Sequence, residues 1–141
     1  MVHALREARR VLKPGGVAID LRPAMVHRRV SVLRAGQAQP LGVMRERFDD
    51  DRAANRAVAK VLRQRLFRLE GRQRLSLDRR MDGLDDFRAW LDDFISRGDK
   101  LPPHDWLIAR VARALGPAPR RRGSVVISGP LDLRVLRKTN D

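Results

Sequence analysis

The segment Pro14-Gly15-Gly16 constrains this chain most, because it forces a break between two stretches of different periodicity. Before it, Ala4, Leu5, Ala8, Val11 and Leu12 fall on one face of a 3.6-residue repeat. Arg6, Arg9, Arg10 and Lys13 take the other face or the last turn, where positive charge complements the helix dipole. Proline lacks the donor a helix needs, and glycine accepts a turn with positive φ. After it, Val17-Ala18-Ile19-Asp20-Leu21 is short and nearly continuous in apolar character, the composition of a parallel strand buried on both faces. Helix, glycine turn and buried strand make the second half of a βαβ unit.

Further along, Val30–Leu33 and Leu41–Arg45 read either as two short strands around a Gly36–Pro40 turn or as a poorly ordered excursion. Asp49-Asp50-Asp51 places acids at a helix start, and Ala54, Ala57, Val58, Val61 and Leu62 form its apolar stripe. Phe67 and Leu69 alternate before Gly71, and Leu75 and Leu77 alternate again in a strand near 72–80. Asp82 reads as an N-cap, with Asp85 closing a short capping box. The helix that follows presents Leu84, Phe87, Leu91, Phe94 and Ile95 on one side, with Trp90 beside them, and stops at Gly98. Pro102-Pro103 precede a helix burying Leu107, Ile108, Val111, Ala112 and Leu115, which Gly116-Pro117 ends. A basic link, Pro119–Gly123, leads to Ser124–Ser128 and Leu131–Arg137, either a hairpin or one bent strand. No linker divides the chain, so residues 1–141 read as a single partial domain.

The run Ala4-Leu5-Arg6-Glu7-Ala8-Arg9-Arg10-Val11-Leu12-Lys13-Pro14-Gly15-Gly16, with Val17–Leu21 after it, resembles the late helix–turn–strand segment of class I S-adenosylmethionine-dependent methyltransferases. The resemblance covers about 20 residues. It implies an α/β fold: the C-terminal part of a Rossmann-like sheet, with flanking helices and a terminal antiparallel strand pair. That family carries its Gly-rich cofactor loop after the first strand, and an acidic residue after the second. Neither is present here. Gly15-Gly16 follows a helix and opens a strand, the reverse of a nucleotide loop, and no GxGxG spacing occurs. The resemblance therefore implies a C-terminal fragment whose Met1 is an internal or misassigned start, or a truncated relic. S-adenosylmethionine is the cofactor of the intact family, bound poorly by this chain alone.

On that reading Asp20, Arg22 and Arg28 are the substrate-side candidates. Asp20 and Arg22 sit at the carboxyl end of the apolar strand, where open α/β sheets place ligands. Arg28, in the Arg28-Arg29 pair, follows them. The structural alternative is a strand-end ion pair or solvated residues for Asp20 and Arg22, and a solvated loop for Arg28. The catalytic residues are not identified, and no cofactor-binding or metal residue is expected. His3, His27 and His104 are dispersed and lack ligand spacing; no serine sits in a GxSxG setting; the Asp49–Asp51 cluster lacks the spacing of a calcium loop. Trp90 and Trp106 fit packing better than a substrate cavity.

Charge adds less. The 31 Lys and Arg exceed the 17 Asp and Glu by enough for a net +14, with Arg far ahead of Lys. Such a surface attracts nucleic acid nonspecifically, yet neither Arg28-Arg29 nor Arg120-Arg121-Arg122 comes with a reading helix or an RNP-like aromatic pattern. The lack of cysteine excludes a disulfide scaffold and thiol chemistry. No run approaches a membrane span and no secretory h-region opens the chain, so a cytoplasmic setting is expected, with no membrane partner.

The leading expectation is thus a methyltransferase fragment of unknown substrate, inactive in isolation. The alternatives are a small basic nucleic-acid-binding protein or a complementing structural subunit without enzyme activity. A Val17–Leu21 strand without its upstream neighbour would present an apolar edge, inviting self-association or a complementing polypeptide.

Overall fold

The computed structural model describes residues 1–96, 104–117 and 123–139. Among them the elements run α1 (Val2–Val11), β1 (Val17–Pro23), β2 (Arg28–Arg34), β3 (Gln37–Met44), α2 (Asp49–Arg63), β4 (Phe67–Met81), α3 (Leu84–Ser96), α4 (Asp105–Leu115) and β5 (Ser124–Lys138). By pairing, the strands are ordered β1-β5-β2-β3, with β4 also on β5, and every pairing is antiparallel. The described residues form two compact units. One comprises Met1–Met25, Phe48–Leu75 and Pro130–Asp141, the other Val26–Arg47 and Ser76–Gly129. The expected helix stop at Gly98, Pro102-Pro103 and Arg120-Arg121-Arg122 lie outside the described residues.

In the first unit, Gly15 sits at φ 69° and the Gly16 N–H donates to the Lys13 carbonyl at 2.9 Å. With proline at the preceding position, this is a type II turn, which needs positive φ at its third residue. A Cβ on Gly16 would lie 2.8 Å from the Lys13 carbonyl oxygen, so both glycines are required. The turn delivers β1 onto the last part of β5 in an unbroken antiparallel register, from Val17 opposite Arg137 to Pro23 opposite Leu131. One face of this ladder is covered. Leu136 and Phe67 pack with Val58 and Val61 of α2, and Val2, Leu5, Ala18 and Leu62 close round them. Such burial contributes about 25 cal/mol per Å² of apolar surface.

In the second unit, β2 and β3 form a hairpin closed by Ala35 (φ 49°) and Gly36 (φ 78°), the two left-handed residues of a type I′ turn. The first part of β5 pairs with β2 on its other side, placing Val30 opposite Ile127 and Val32 opposite Val125. These four, with Leu41 and Met44, meet Phe87 and Leu91 of α3 and Leu107, Val111 and Leu115 of α4. The register slips between Val30 and Ser31, where Gly42 (φ 150°) makes room for the Trp106 ring; a Cβ there would be 3.0 Å from it. At the start of α3 the Asp82 N–H is capped by the Asp86 carboxylate at 3.1 Å, not by Asp85 as the spacing suggested.

The fold expected from the family resemblance does not form. Val17–Leu21 is neither parallel nor buried on both faces: it is an antiparallel edge strand, with Ile19 67 per cent and Leu21 50 per cent exposed. A Pro-Gly-Gly turn specifies that a strand follows a helix. It carries no information about which strand lies alongside, or in which direction, and that is where the resemblance misled. The Rossmann-like assignment is accordingly replaced by an open, antiparallel α/β arrangement.

Candidate functional site

The candidate site lies in the first unit, on and beside β1. Antiparallel pairs that exchange backbone hydrogen bonds alternate with pairs that do not. At the two ends of the β1–β5 ladder, the Lys138 N–H donates to Gly16 and the Ala24 N–H donates to Pro130. With no slip between them, even-numbered residues turn their backbone groups toward β5. Val17, Ile19 and Leu21 therefore aim both N–H and C=O at the open edge, and Pro23 only its C=O.

The same alternation sorts the side chains. Ala18, Asp20 and Arg22 face α1 and α2, whereas Val17, Ile19 and Leu21 stand on the opposite face, beside Arg137, Val135 and Leu133. Natural sheets blunt such edges with lysine, proline or inward charge. β1 carries inward charge in Asp20 and Arg22 and a proline at one end, but on its bare face this edge presents only the apolar side chains of Val17, Ile19 and Leu21.

On the helix side, Arg22 holds Asp20 through two parallel bonds, Nε to Oδ1 at 2.7 Å and a terminal nitrogen to Oδ2 at 2.8 Å. Arg134, opposite Asp20 on β5, comes within 3.7 Å of the same carboxylate. Asn55 of α2 accepts from both guanidinium groups, at 3.2 Å and 2.7 Å. All three ionic side chains are largely buried: Asp20 is 9, Arg134 14 and Arg22 18 per cent exposed. Two cations share one carboxylate here, so the amide oxygen of Asn55 supplies the acceptor the second guanidinium lacks. Next to it, Asp132 accepts from Arg72 and Arg74, and the Arg74 bond above all holds its carboxyl below the usual range. The cleft bounded by Arg22, Asp51, Asn55, Asp132 and Arg134 has a volume of only about 10 Å³. That is room for about one water and not for a phosphate.

The structure thus brings two of the sequence candidates, Asp20 and Arg22, together as a bidentate ion pair. Arg28 belongs to the second unit. There its guanidinium bonds Glu46 at 2.9 Å and lies 4.9 Å from the centre of the Phe94 ring. Burial pushes the Glu46 carboxyl up, against the opposing influence of Arg28. Sequence reasoning missed Arg134, Asn55 and Glu46. Each lies on a different element from the residue it serves, and none sits at a motif spacing.

Elsewhere the chemistry is sparse. Among the described residues, no group of three or more His, Asp or Glu is gathered as a metal site, and no helix is long and apolar enough to cross a membrane. An open groove of about 420 Å³ between α1 and α2 is lined by Met1, Val2, Asp50, Ala53, Ala54, Arg56, Ala57 and Lys60.

Comparison with protein-family models, with curated proteins and with solved structures finds no match. The antiparallel sheet therefore stands without a family to set against it, and the methyltransferase assignment, with its S-adenosylmethionine cofactor, is withdrawn. The class that fold and site define is a small two-unit α/β protein with an edge strand whose bare face is apolar.

Proposed function

We infer that the first unit is a strand acceptor, whose work is to dock an extended polypeptide segment along β1. One observation carries this reading: Val17, Ile19 and Leu21 each combine an outward N–H and C=O with an exposed apolar side chain. Main-chain bonds to an added strand supply affinity, and the alternate side chains supply specificity. The Asp20–Arg22–Arg134–Asn55 cluster is the support of this edge. It fixes β1 to β5 and α2 on the covered side, so the strand is already extended before a partner arrives, which lowers the ordering cost of docking. Asp20 and Arg22 are positioning residues on this account. The setting we propose is cytoplasmic, as expected from the sequence.

Amide hydrogen exchange tests the reading directly. A short synthetic peptide of alternating Thr and Val is the probe. In its presence, the amides of Val17, Ile19 and Leu21 should slow at least tenfold, while those of Ala18 and Asp20 are slow with or without it. Exchange at these three amides that is fast and stays fast at millimolar peptide would overturn the acceptor assignment.

A further inference from the structure

We propose that the strand docked on β1 is the β1 of a second copy of this chain, joined antiparallel about a two-fold axis through Ile19. The inference rests on the acceptor reading and adds the identity and register of the partner.

Self-pairing must place outward residues opposite outward residues, so Val17, Ile19, Leu21 and Pro23 can only face one another. Three registers engage most of them. With Asp20 on the axis, two like carboxylates meet across a closely spaced pair, which is destabilising, and Pro23 occupies a hydrogen-bonding position opposite Val17. With Leu21 on the axis, Pro23 stands opposite Ile19 in both halves and leaves its partner's carbonyl unbonded. With Ile19 on the axis these conflicts vanish. Ile19 meets Ile19, Val17 meets Leu21, and Asp20 and Arg22 face Ala18 and Gly16 instead of a like charge. Each of the three outward pairs exchanges two backbone bonds, about six across the edge.

Charge favours this match over a register-free association. Each copy's Asp20 is already bound to its own Arg22, so the edge itself meets its twin nearly neutral within a +14 chain. The axis stands perpendicular to the sheet, so the bare faces of the two copies become continuous. Val17, Ile19 and Leu21 of one copy then lie flush with Leu21, Ile19 and Val17 of the other. The remaining repulsion between two cationic chains is screened by salt, so this dimer should tighten as ionic strength rises.

Sedimentation velocity on the full chain, across micromolar to submillimolar concentration, reads the dimer. We expect a reversible dimer that strengthens between 50 and 500 mM NaCl. Ile19→Pro removes an N–H that points to the open edge, and no bond to β5, so it should leave the circular dichroism spectrum intact and weaken dimerisation by about 100-fold. Ile19→Lys keeps the backbone and places two ammonium groups on the axis; it should act alike if the proline variant fails to fold. The chain has no cysteine, so single-cysteine variants give an unobscured register. Ile19→Cys should form a disulfide dimer, since Cα atoms of a bonded pair lie about 5.5 Å apart, whereas Asp20→Cys and Leu21→Cys should not. A dimer that survives both Ile19 substitutions, or that cross-links through residue 20 or 21, overturns the proposal. A chain that stays monomeric while the Thr-Val peptide protects Val17, Ile19 and Leu21 overturns the second copy as occupant and leaves the acceptor reading standing. A monomer with no such protection overturns both.

Discussion

Arg22 grips Asp20 two positions back along the same strand, with both guanidinium–carboxylate bonds under 3 Å and the carboxylate 9 per cent exposed. Residues i and i+2 share a face of a strand, so an Asp-x-Arg pair needs no loop to bring it together. The pair lies beneath α2 where solvent is mostly excluded, which makes breaking it costly.

Asp20→Ala leaves Arg22 and Arg134 without their shared carboxylate and should destabilise the protein by about 3–5 kcal/mol. Adding Arg22→Met should restore part of that loss, because one uncompensated buried cation disappears and the two substitutions touch the same network. Urea unfolding of the single and double variants measures both.

His104 is 5 per cent exposed, immediately precedes α4, and its Nδ1 has no hydrogen-bond partner among the described residues. Burial holds its pKa below the ordinary 6.5, with the nearby Asp105 charge opposing. The unfolded chain therefore takes up a proton first as pH falls. Stability should drop as pH is lowered from about 7 through 6.5 toward the depressed folded value, and level off below it. His104→Leu should remove that slope and add about 1 kcal/mol near neutrality, as a thermal melt series from pH 7.5 to 5 would reveal.

Glu46 presents the opposite sign. Its folded pKa lies above 4.5 because burial outweighs the attraction of Arg28. Its contribution to stability is fully present below 4.5 and is lost as pH rises through the folded value. An NMR titration should place its midpoint above 4.5, and Arg28→Met should move that midpoint further up. A midpoint below 4.5 would contradict the burial argument, and a downward movement on Arg28→Met would contradict the attraction of Arg28.

Charge also predicts weak attachment to single-stranded DNA, with affinity falling steeply as salt is added. Arg56, Lys60 and Arg63 are exposed at i, i+4 and i+7 on α2. Replacing all three with Ser should weaken fluorescence-anisotropy binding several-fold and flatten its salt slope, while leaving dimer formation untouched.

Periodicity located most of the elements. The stripes at 4–12, 54–62, 84–95 and 107–115 are helices, and Val17–Leu21 is a strand. The alternation before Gly71 and the strand read near 72–80 are one 15-residue strand, with Gly71 inside it beside Val135. Gly129-Pro130 likewise sits within β5, the bent-strand alternative. Pairing was illegible for a different reason. A run such as Val-Ala-Ile-Asp-Leu fits a buried parallel strand and a half-bare antiparallel edge equally, and the deciding neighbour is distant in sequence. The candidate site was half visible: Asp20 and Arg22 announced themselves by lying at a strand end. Arg134 and Asn55 join them only through the register of β5 and the placement of α2.

The pairing of Val17 with Arg137 also sets a timetable. On the order of a hundred residues of chain separate the two strands, and closing so long a loop slows folding relative to a local hairpin such as β2–β3. At a synthesis rate of about 5–20 residues per second, β1 leaves the ribosome some ten seconds before its native neighbour exists. During that interval both of its edges are open. If copies pair through β1 as proposed, nascent chains on one polysome would meet through this strand before either has finished folding, so the crowding of translation would add to final concentration in setting how many chains become trapped in the wrong partnership.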